Sequence, residues 1–380
     1  MNKRKKFLAP VLCAALLLLP SCAAGSGRDI RLAVTGDREV YDYDPSILNA
    51  VDLAVDECGS LYAGDGWRIS AETVDDGSVY DVGVTQAAAL AEDPGVTAIL
   101  GTHNFAIADM AAELASQNGV LYAAFNGCDD AVTAGDYRTV LSNVYNAAQC
   151  GAAMGRYVAQ ASGLTRLAVY SSSVGYETDW IRAFCRALEG GAAQVVDCVG
   201  TAADGAEFRA DARRWRQLGV DGVLVLEYYA DDAYAAAQWL HDQLPQAKLL
   251  GDSSFDYQAR LSQSADAVEG LVIVDVLPSD GENGMADFRA RYRERYGATP
   301  SRWAAHAYDT VRMLVDTAVA QDTTDAAVIA DALRAEPGYA GVCGTLRFDA
   351  GGALTGGEPG LLVCRNGAFT ALTGEEGQTQ

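Results

Sequence analysis

The chain has 380 residues, more than one compact core usually holds, so its length favours two lobes. Half of the residues are apolar and 21% are charged, a balance that buries large cores and excludes a disordered or collagen-like chain. Lys and Arg total 28 against 51 Asp and Glu, a formal charge of −23, and a surface this acidic repels nucleic-acid phosphates and anionic lipid head groups.

Residues 1–21 read as an export signal. Lys3, Arg4, Lys5 and Lys6 form a basic head before the apolar run FLAPVLCAALLLLP, which is too short to span a bilayer and suits a signal-peptide core. The run ends in Leu19-Pro20-Ser21-Cys22, which resembles a bacterial lipobox. That resemblance implies a diacylglycerol on the Cys22 sulfur and cleavage that leaves Cys22 first, with residues 22–28 as a short tether. The alternative is an ordinary signal peptide cut after a small residue. Loss of residues 1–21 removes four cations and no acid, taking the formal charge from −23 to −27 and leaving Lys248 as the one lysine. No later segment reaches 18 consecutive apolar residues, so the processed protein is expected outside the cytoplasm, held at the cell membrane through its lipid alone.

Beyond the tether, apolar β-branched runs alternate with helix-period stretches, as in parallel sheets covered by helices on both faces. The first strands are IRLAVTG (30–36), WRISAETV (67–74), VTAILG (96–101) and VLYAAF (120–125). Between them, Asp44 is placed to cap a helix with Pro45 at its first position, and Ile47, Val51, Ala54, Val55 and Cys58 fall on one face. Asn104 precedes a second helix with Ile107, Met110, Ala111 and Leu114 on one side, and Asn118-Gly119 stops it. A second array holds RLAVYS (166–171), QVVDCV (194–199), GVLVLE (222–227) and KLLG (248–251), with Phe208, Ala212 and Trp215 as a core stripe. After GLVIVDV (270–276) come helical segments including MADFRARYRERYG and WAAHAYDTVRMLVDTAVA. The run GTLRFDAGGALTGGEPGLLVC then reads as a β-hairpin with a glycine-rich loop. Residues 373–380 have nothing to bury and are expected to be a disordered tail.

The chain lacks the tools of common enzymes. It has no G-x-S-x-G elbow, P-loop, H-E-x-x-H or G-x-G-x-x-G. His103, His241 and His306 lack ligand spacing; His103 or His306 could reach a cleft, but a surface or hydrogen-bonded role is the plainer reading. Asp42, Asp44 and the pair Asp75-Asp76 admit a calcium site or an acid/base pair, against which stands a solvated loop. Besides Cys22, the processed chain holds Cys58, Cys128, Cys150, Cys185, Cys198, Cys343 and Cys364. Cys185 with Cys198, and Cys343 with Cys364, could pair; the alternative is buried free thiols. No catalytic residue, metal or cofactor is assigned.

In open α/β sheets ligands sit beyond the carboxyl ends of the strands. That rule selects Asp37, 102–105 and 126–128 in the first array, and 172–176, Tyr228, Tyr229 and 252–254 in the second. These segments are rich in Tyr, Asn and Ser, which suits hydrogen bonding to a small polar ligand better than bond breaking.

The order IRLAVTG, VDDGSVYDVGVTQAAALAEDPGVTAILG, NGVLYAAFNG, LAVYSSSVGYETDWIRAFCRAL, GTLRFDAGG resembles the branched-chain amino acid and amide binding proteins of bacterial ABC importers, the leucine/isoleucine/valine-binding type. The resemblance covers nearly the whole processed chain. It implies a type I periplasmic binding fold, in which two Rossmann-like lobes with parallel sheets are joined by three crossovers and close over a ligand by hinge motion. Lobe one would hold 29–145 and 278–350, and lobe two 146–277 and 351–372. Carried over by position, the resemblance places Tyr176 and Tyr228 on the ligand from lobe two, with Asn104, Phe105, Asn126, Gly127 and Cys128 facing them. Ser253 stands where the family's ammonium-binding glutamate usually lies, with Asp252 and Glu227 close by. The implied partners are a small polar ligand and a membrane ABC permease, and the implied state is a monomer. A ligand-sensing receptor using the same cleft without transport is the alternative.

Overall fold

A computed structural model describes residues 28–125, 130–135, 137–172, 175–202, 204–227, 229–256, 258–276 and 284–372. Cys22, the tail and the segment 126–129 lie outside these residues.

The first array runs β1 (Asp29–Gly36), α1 (Arg38–Tyr43), α2 (Ser46–Tyr62), β2 (Arg68–Asp75), α3 (Tyr80–Glu92), β3 (Ala98–Gly101), α4 (Phe105–Asn118), β4 (Leu121–Ala124), α5 (Asp130–Ala134) and β5 (Val140–Ser142). Its sheet is parallel, in the order β2-β1-β3-β4-β5. The helix signals hold. Asn104 accepts a hydrogen bond from the Ile107 amide, and Gly119 ends α4 in the left-handed region that a Cβ disfavours. Asp44 accepts from the Ser46 amide at 3.1 Å, and Pro45 already has helical dihedrals. The short polar helix α1, capped by Asp37, has no apolar stripe and was not expected.

The second array runs α6 (Ala147–Gln160), β6 (Arg166–Ser171), α7 (Gly175–Leu188), β7 (Gln194–Val199), α8 (Gly205–Leu218), β8 (Gly222–Leu226), α9 (Ala230–Gln243), β9 (Lys248–Gly251), α10 (Gln258–Gln263) and β10 (Val272–Asp275). The chain then returns to the first body through α11 (Met285–Tyr296), α12 (Arg302–Ala320) and α13 (Ala326–Arg334), of which α12 lies along α2. Strands β11 (Tyr339–Ala340), β12 (Thr345–Phe348) and β13 (Leu354–Thr355) form a small antiparallel sheet. Finally β14 (Gly360–Arg365) and β15 (Ala368–Ala371) join the second sheet, whose order is β15-β14-β10-β9-β8-β6-β7.

The long hairpin expected over 344–364 is therefore two structures. Phe348 pairs with Leu354 in one hairpin, whereas Leu362 pairs with Ile273 of β10, in the other sheet. The small sheet stays with the first body, since Ser142 donates its amide to the Gly352 carbonyl, so the chain crosses after Thr355 and not near residue 350. It crosses between the sheets three times, after β5, after β10 and after β13, and the first two crossings touch where the Tyr145 amide meets the Val276 carbonyl at 2.9 Å.

Cys58, Cys150, Cys185, Cys198, Cys343 and Cys364 are free thiols; neither expected pair is bonded. Cys343 sits in the core around α12 and Cys364 in the second sheet's core, which separates that pair. The stripe Phe208, Ala212 and Trp215 is fully buried, as expected.

Helices α6 and α7 pack tightly, because Gly151 and Gly155 let the backbones touch. A Cβ on Gly151 would stand 2.1 Å from the Trp180 carbonyl oxygen, and one on Gly155 2.8 Å from that of Phe184. Backbone cannot step aside as a flexible side chain does. Gly151→Ala is therefore expected to cost about 1–3 kcal/mol through forced separation of the helices, read as a lower urea midpoint; an unchanged midpoint would show that the crossing is looser than described.

Candidate functional site

At the carboxyl ends of the first sheet's strands, three loops are knitted together by their own side chains. Asp75 at the end of β2 accepts from the amides of Arg38 and Gly77, both at 3.0 Å, tying the loop after β1 to the loop after β2. Asp76 is 1% exposed, and so is not part of a solvated loop. It accepts from the Ser78 amide at 2.9 Å and from the Thr102 hydroxyl at 2.5 Å, which joins the loop after β2 to the loop after β3. Asn104 donates to the Ser78 carbonyl and hydroxyl at 3.1 and 3.0 Å while its oxygen caps α4. Its amide thus holds the platform together. Phe105 opens α4 half-buried beside it.

His103 lies in the same platform. Its Nδ1 is buried with no hydrogen-bond partner among the described residues. Burial lowers its basicity, which Asp76 and Asp37 partly restore.

The second sheet presents acids instead. Glu227, after β8, is buried and accepts from the Thr201 hydroxyl on both oxygens, at 2.8 and 3.0 Å. Asp252, after β9, is 5% exposed. It caps the short turn Ser253–Phe255 by accepting from the Ser254 amide at 3.0 Å and its hydroxyl at 2.6 Å. Burial pushes its carboxyl up to about 6 against those stabilising hydrogen bonds. Ser253 is half-buried on the same turn. Asp256 closes the turn and Asp275 ends β10, and both pair with Arg302 at the start of α12.

Of the residues expected to touch ligand, Asn104 and Phe105 stand at the strand ends of the first sheet, and Asp252 and Ser253 at those of the second. Asn126, Gly127, Cys128 and Tyr228 lie outside the described residues, as does the side chain of Tyr176, whose backbone is in the first turn of α7. Asp256, Asp275 and Arg302 were missed. The charge ending the apolar run VIVD was the available signal for Asp275. His306 is not at the surface: it is fully buried in α12, and burial drives its pKa down to about 3 although the Asn143 backbone beside the ring acts the other way. Among the described residues no His, Cys, Asp and Glu group could hold a metal, and no helix is long and apolar enough to cross a membrane.

A sequence model described as periplasmic binding protein matches residues 32–356. No curated protein sequence matches the chain. Among solved structures, an ABC transporter substrate-binding protein from Desulfitobacterium hafniense in complex with Leu superimposes with a TM-score of 0.79 at 23% identity, over 90% of this chain and 100% of that one. The branched-chain amino acid transporter substrate binding protein LivJ from Streptococcus pneumoniae, in complex with isoleucine, gives 0.76 at 19% identity, over 90% and 98%. A solute binding protein of an ABC transporter from R. palustris, in complex with benzoate, gives 0.73 at 18% identity, over 90% and 95%. At these identities the likeness is one of fold: two lobes of mixed α/β structure with parallel sheets.

Proposed function

The chain belongs to the periplasmic binding protein family, and from that premise we propose that it captures a small polar ligand, amino-acid-like or amide-like, in the cleft between its lobes. It delivers that ligand to an ABC permease from the outer face of the membrane, to which Cys22 anchors it. The observation that carries this reading is a polar platform at the strand ends of each sheet, one built on hydroxyls and amides around Asp76 and Asn104, the other on Glu227 and Asp252. Such groups orient a ligand by hydrogen bonds, and the hydroxyls of Thr102, Thr201 and Ser254 are spent on the carboxylates of the platforms themselves. A ligand ammonium would be received by Asp252 or Glu227, because a buried cation needs a paired carboxylate. In the same reading lobe one is 29–145 with 278–350, extended to Thr355 by the pairing of β13, and lobe two is the remainder to 372.

Tyr176 and Tyr228 are proposed to cover the ligand from lobe two. Each change to Ala is expected to weaken binding by about 1–3 kcal/mol, the range for losing an aromatic or buried polar contact. Calorimetry on the cognate ligand decides it, and affinities within a factor of two of wild type for both variants would make these tyrosines scaffold.

The anchor is tested separately. Cys22→Ala should move the protein from the membrane to the soluble fraction, since its lipid is the only membrane attachment proposed. A variant that still sediments with membranes would remove the lipid from the account.

A further inference from the structure

Arg302 is the first residue of α12, a helix packed along α2 in the first body, yet both of its ion pairs are with the second body. Its base is fixed. Ser301 caps α12 and is held by Ser46, whose hydroxyl donates to the Ser301 hydroxyl at 3.0 Å and accepts the Ser301 amide at 3.2 Å. Asp44 in turn accepts from the Ser46 amide at 3.1 Å. From this support the guanidinium crosses to two carboxylates with different tasks. Asp275 is the last residue of β10, next to the crossing at Val276, so it lies by the hinge. Asp256 closes the turn begun by Asp252, through its amide on the Ser253 carbonyl at 2.9 Å. It meets Arg302 at 3.3 Å, a looser contact than the one with Asp275.

We propose that Arg302 is an interlobe clasp, a positioning residue that pivots on Asp275 at the hinge and grips Asp256 to set the angle at which the Asp252–Asp256 turn meets lobe one. The clasp acts on ligand through that turn, so its use in capture rests on the cleft reading above; its effect on lobe angle does not. Rotation about the hinge strains both contacts, and loss of the Asp256 contact frees the turn while Asp275 stays beside the crossing. The clasp also senses acidity. Among the described residues Asp256 is faced by Arg302 from α12, by Asp275 from β10, by Asp44 from the loop before α2 and by Tyr234 from α9. Burial, with the two acids, outweighs Arg302 and lifts the Asp256 carboxyl to about 6. It loses its charge as pH falls through that value, and the grip is released.

The test needs no ligand, so its failure leaves the binding reading standing, and that reading fails only in a binding assay. Solution X-ray scattering and hydrogen exchange are measured on the processed protein at about pH 7.5 and about pH 5, for wild type, Arg302→Gln, Arg302→Lys and Asp256→Asn. At the higher pH, Arg302→Gln and Asp256→Asn should show a larger radius of gyration and faster exchange over 252–256 than wild type, with Arg302→Lys in between. With exchange expressed as protection relative to the intrinsic rate at each pH, wild type should shift towards them at the lower pH and by more than Asp256→Asn does, since Asp252 titrates in both. Coincidence of Asp256→Asn with wild type at both pH values overturns the proposal. If Arg302→Gln does not fold, Asp256→Asn decides alone, because it removes the cleft-side partner and leaves the hinge pair intact.

Discussion

Phe208→Ala is expected to lower the stability of the second lobe by about 3–5 kcal/mol, the range for emptying a buried aromatic site. Phe208 is fully buried at the centre of an aromatic cluster. Its ring lies 5.6 Å from Tyr170, 5.8 Å from Trp215 and 5.4 Å from Trp239, the first two edge-to-face. Those neighbours are pinned from outside: Trp215 donates to Asp197 at 2.8 Å, and Tyr170 accepts the Ala202 amide at 2.8 Å. They cannot collapse into the space without breaking these bonds, so most of the cavity persists. The cluster belongs wholly to the second sheet. A loss of this size in one lobe should also split a single urea transition into two, the earlier one belonging to lobe two. A variant that unfolds at the wild-type midpoint would mean that the cluster is not packed as described.

Asp252→Asn is expected to make the ligand-free protein more stable at neutral pH, by about 3 kcal/mol at ~1.4 kcal/mol per pKa unit. The native carboxyl titrates at about 6 against an ordinary 3.8 because it is buried. The native state therefore binds a proton more readily than the unfolded chain does, and the charge is a cost above pH 6 that fades as pH falls towards 4. Asn keeps the shape and can still accept from Ser254 without the charge. Its advantage should be full at pH 7 and absent near pH 4. Asp256 and Asp309, each raised to about 6 by burial, work in the same direction. His306 opposes them, since only the unfolded chain takes its proton below 6.5. The variant must thus be compared with wild type at each pH. A melting temperature that falls at neutral pH would show that the Asp252 charge is stabilised by its surroundings. If Asp252 also receives a ligand ammonium, the same variant that gains stability should lose affinity, as buried charges kept for binding do.

The central parallel strands were legible because they are short runs apolar on both faces, and Leu32, Ile99, Leu121, Val169 and Leu224 are fully buried, whereas the edge strands β2 and β7 carry polar residues and are partly exposed. Helix ends were legible wherever a cap is local, as with Asn104 and Gly119. What depended on distant partners was not. β14 finds its neighbour β10 almost ninety positions upstream, while its pattern fits a nearer hairpin equally well. Asp76 looks like a loop acid beside Asp75 and Gly77; its burial is set by Thr102, 26 positions away. His306 is enclosed because α12 is buried on nearly all sides from Ala304 to Val311, a condition no single stripe announces. Arg302 follows a readable cap at Ser301, but both of its partners come from the other sheet. The site is thus legible as a set of strand ends, and its wiring is legible only in three dimensions.

The most direct measurement is a thermal-shift screen of the processed protein against amino acids, amides, purines and short peptides, because a ligand at 100 times its dissociation constant adds about 2.7 kcal/mol to the native state. An amino-acid-like or amide-like compound should raise the melting temperature, and the rise should shrink in Tyr228→Ala. If no such compound shifts the transition, or if the shift is as large in Tyr228→Ala as in wild type, capture of such a ligand in this cleft is contradicted.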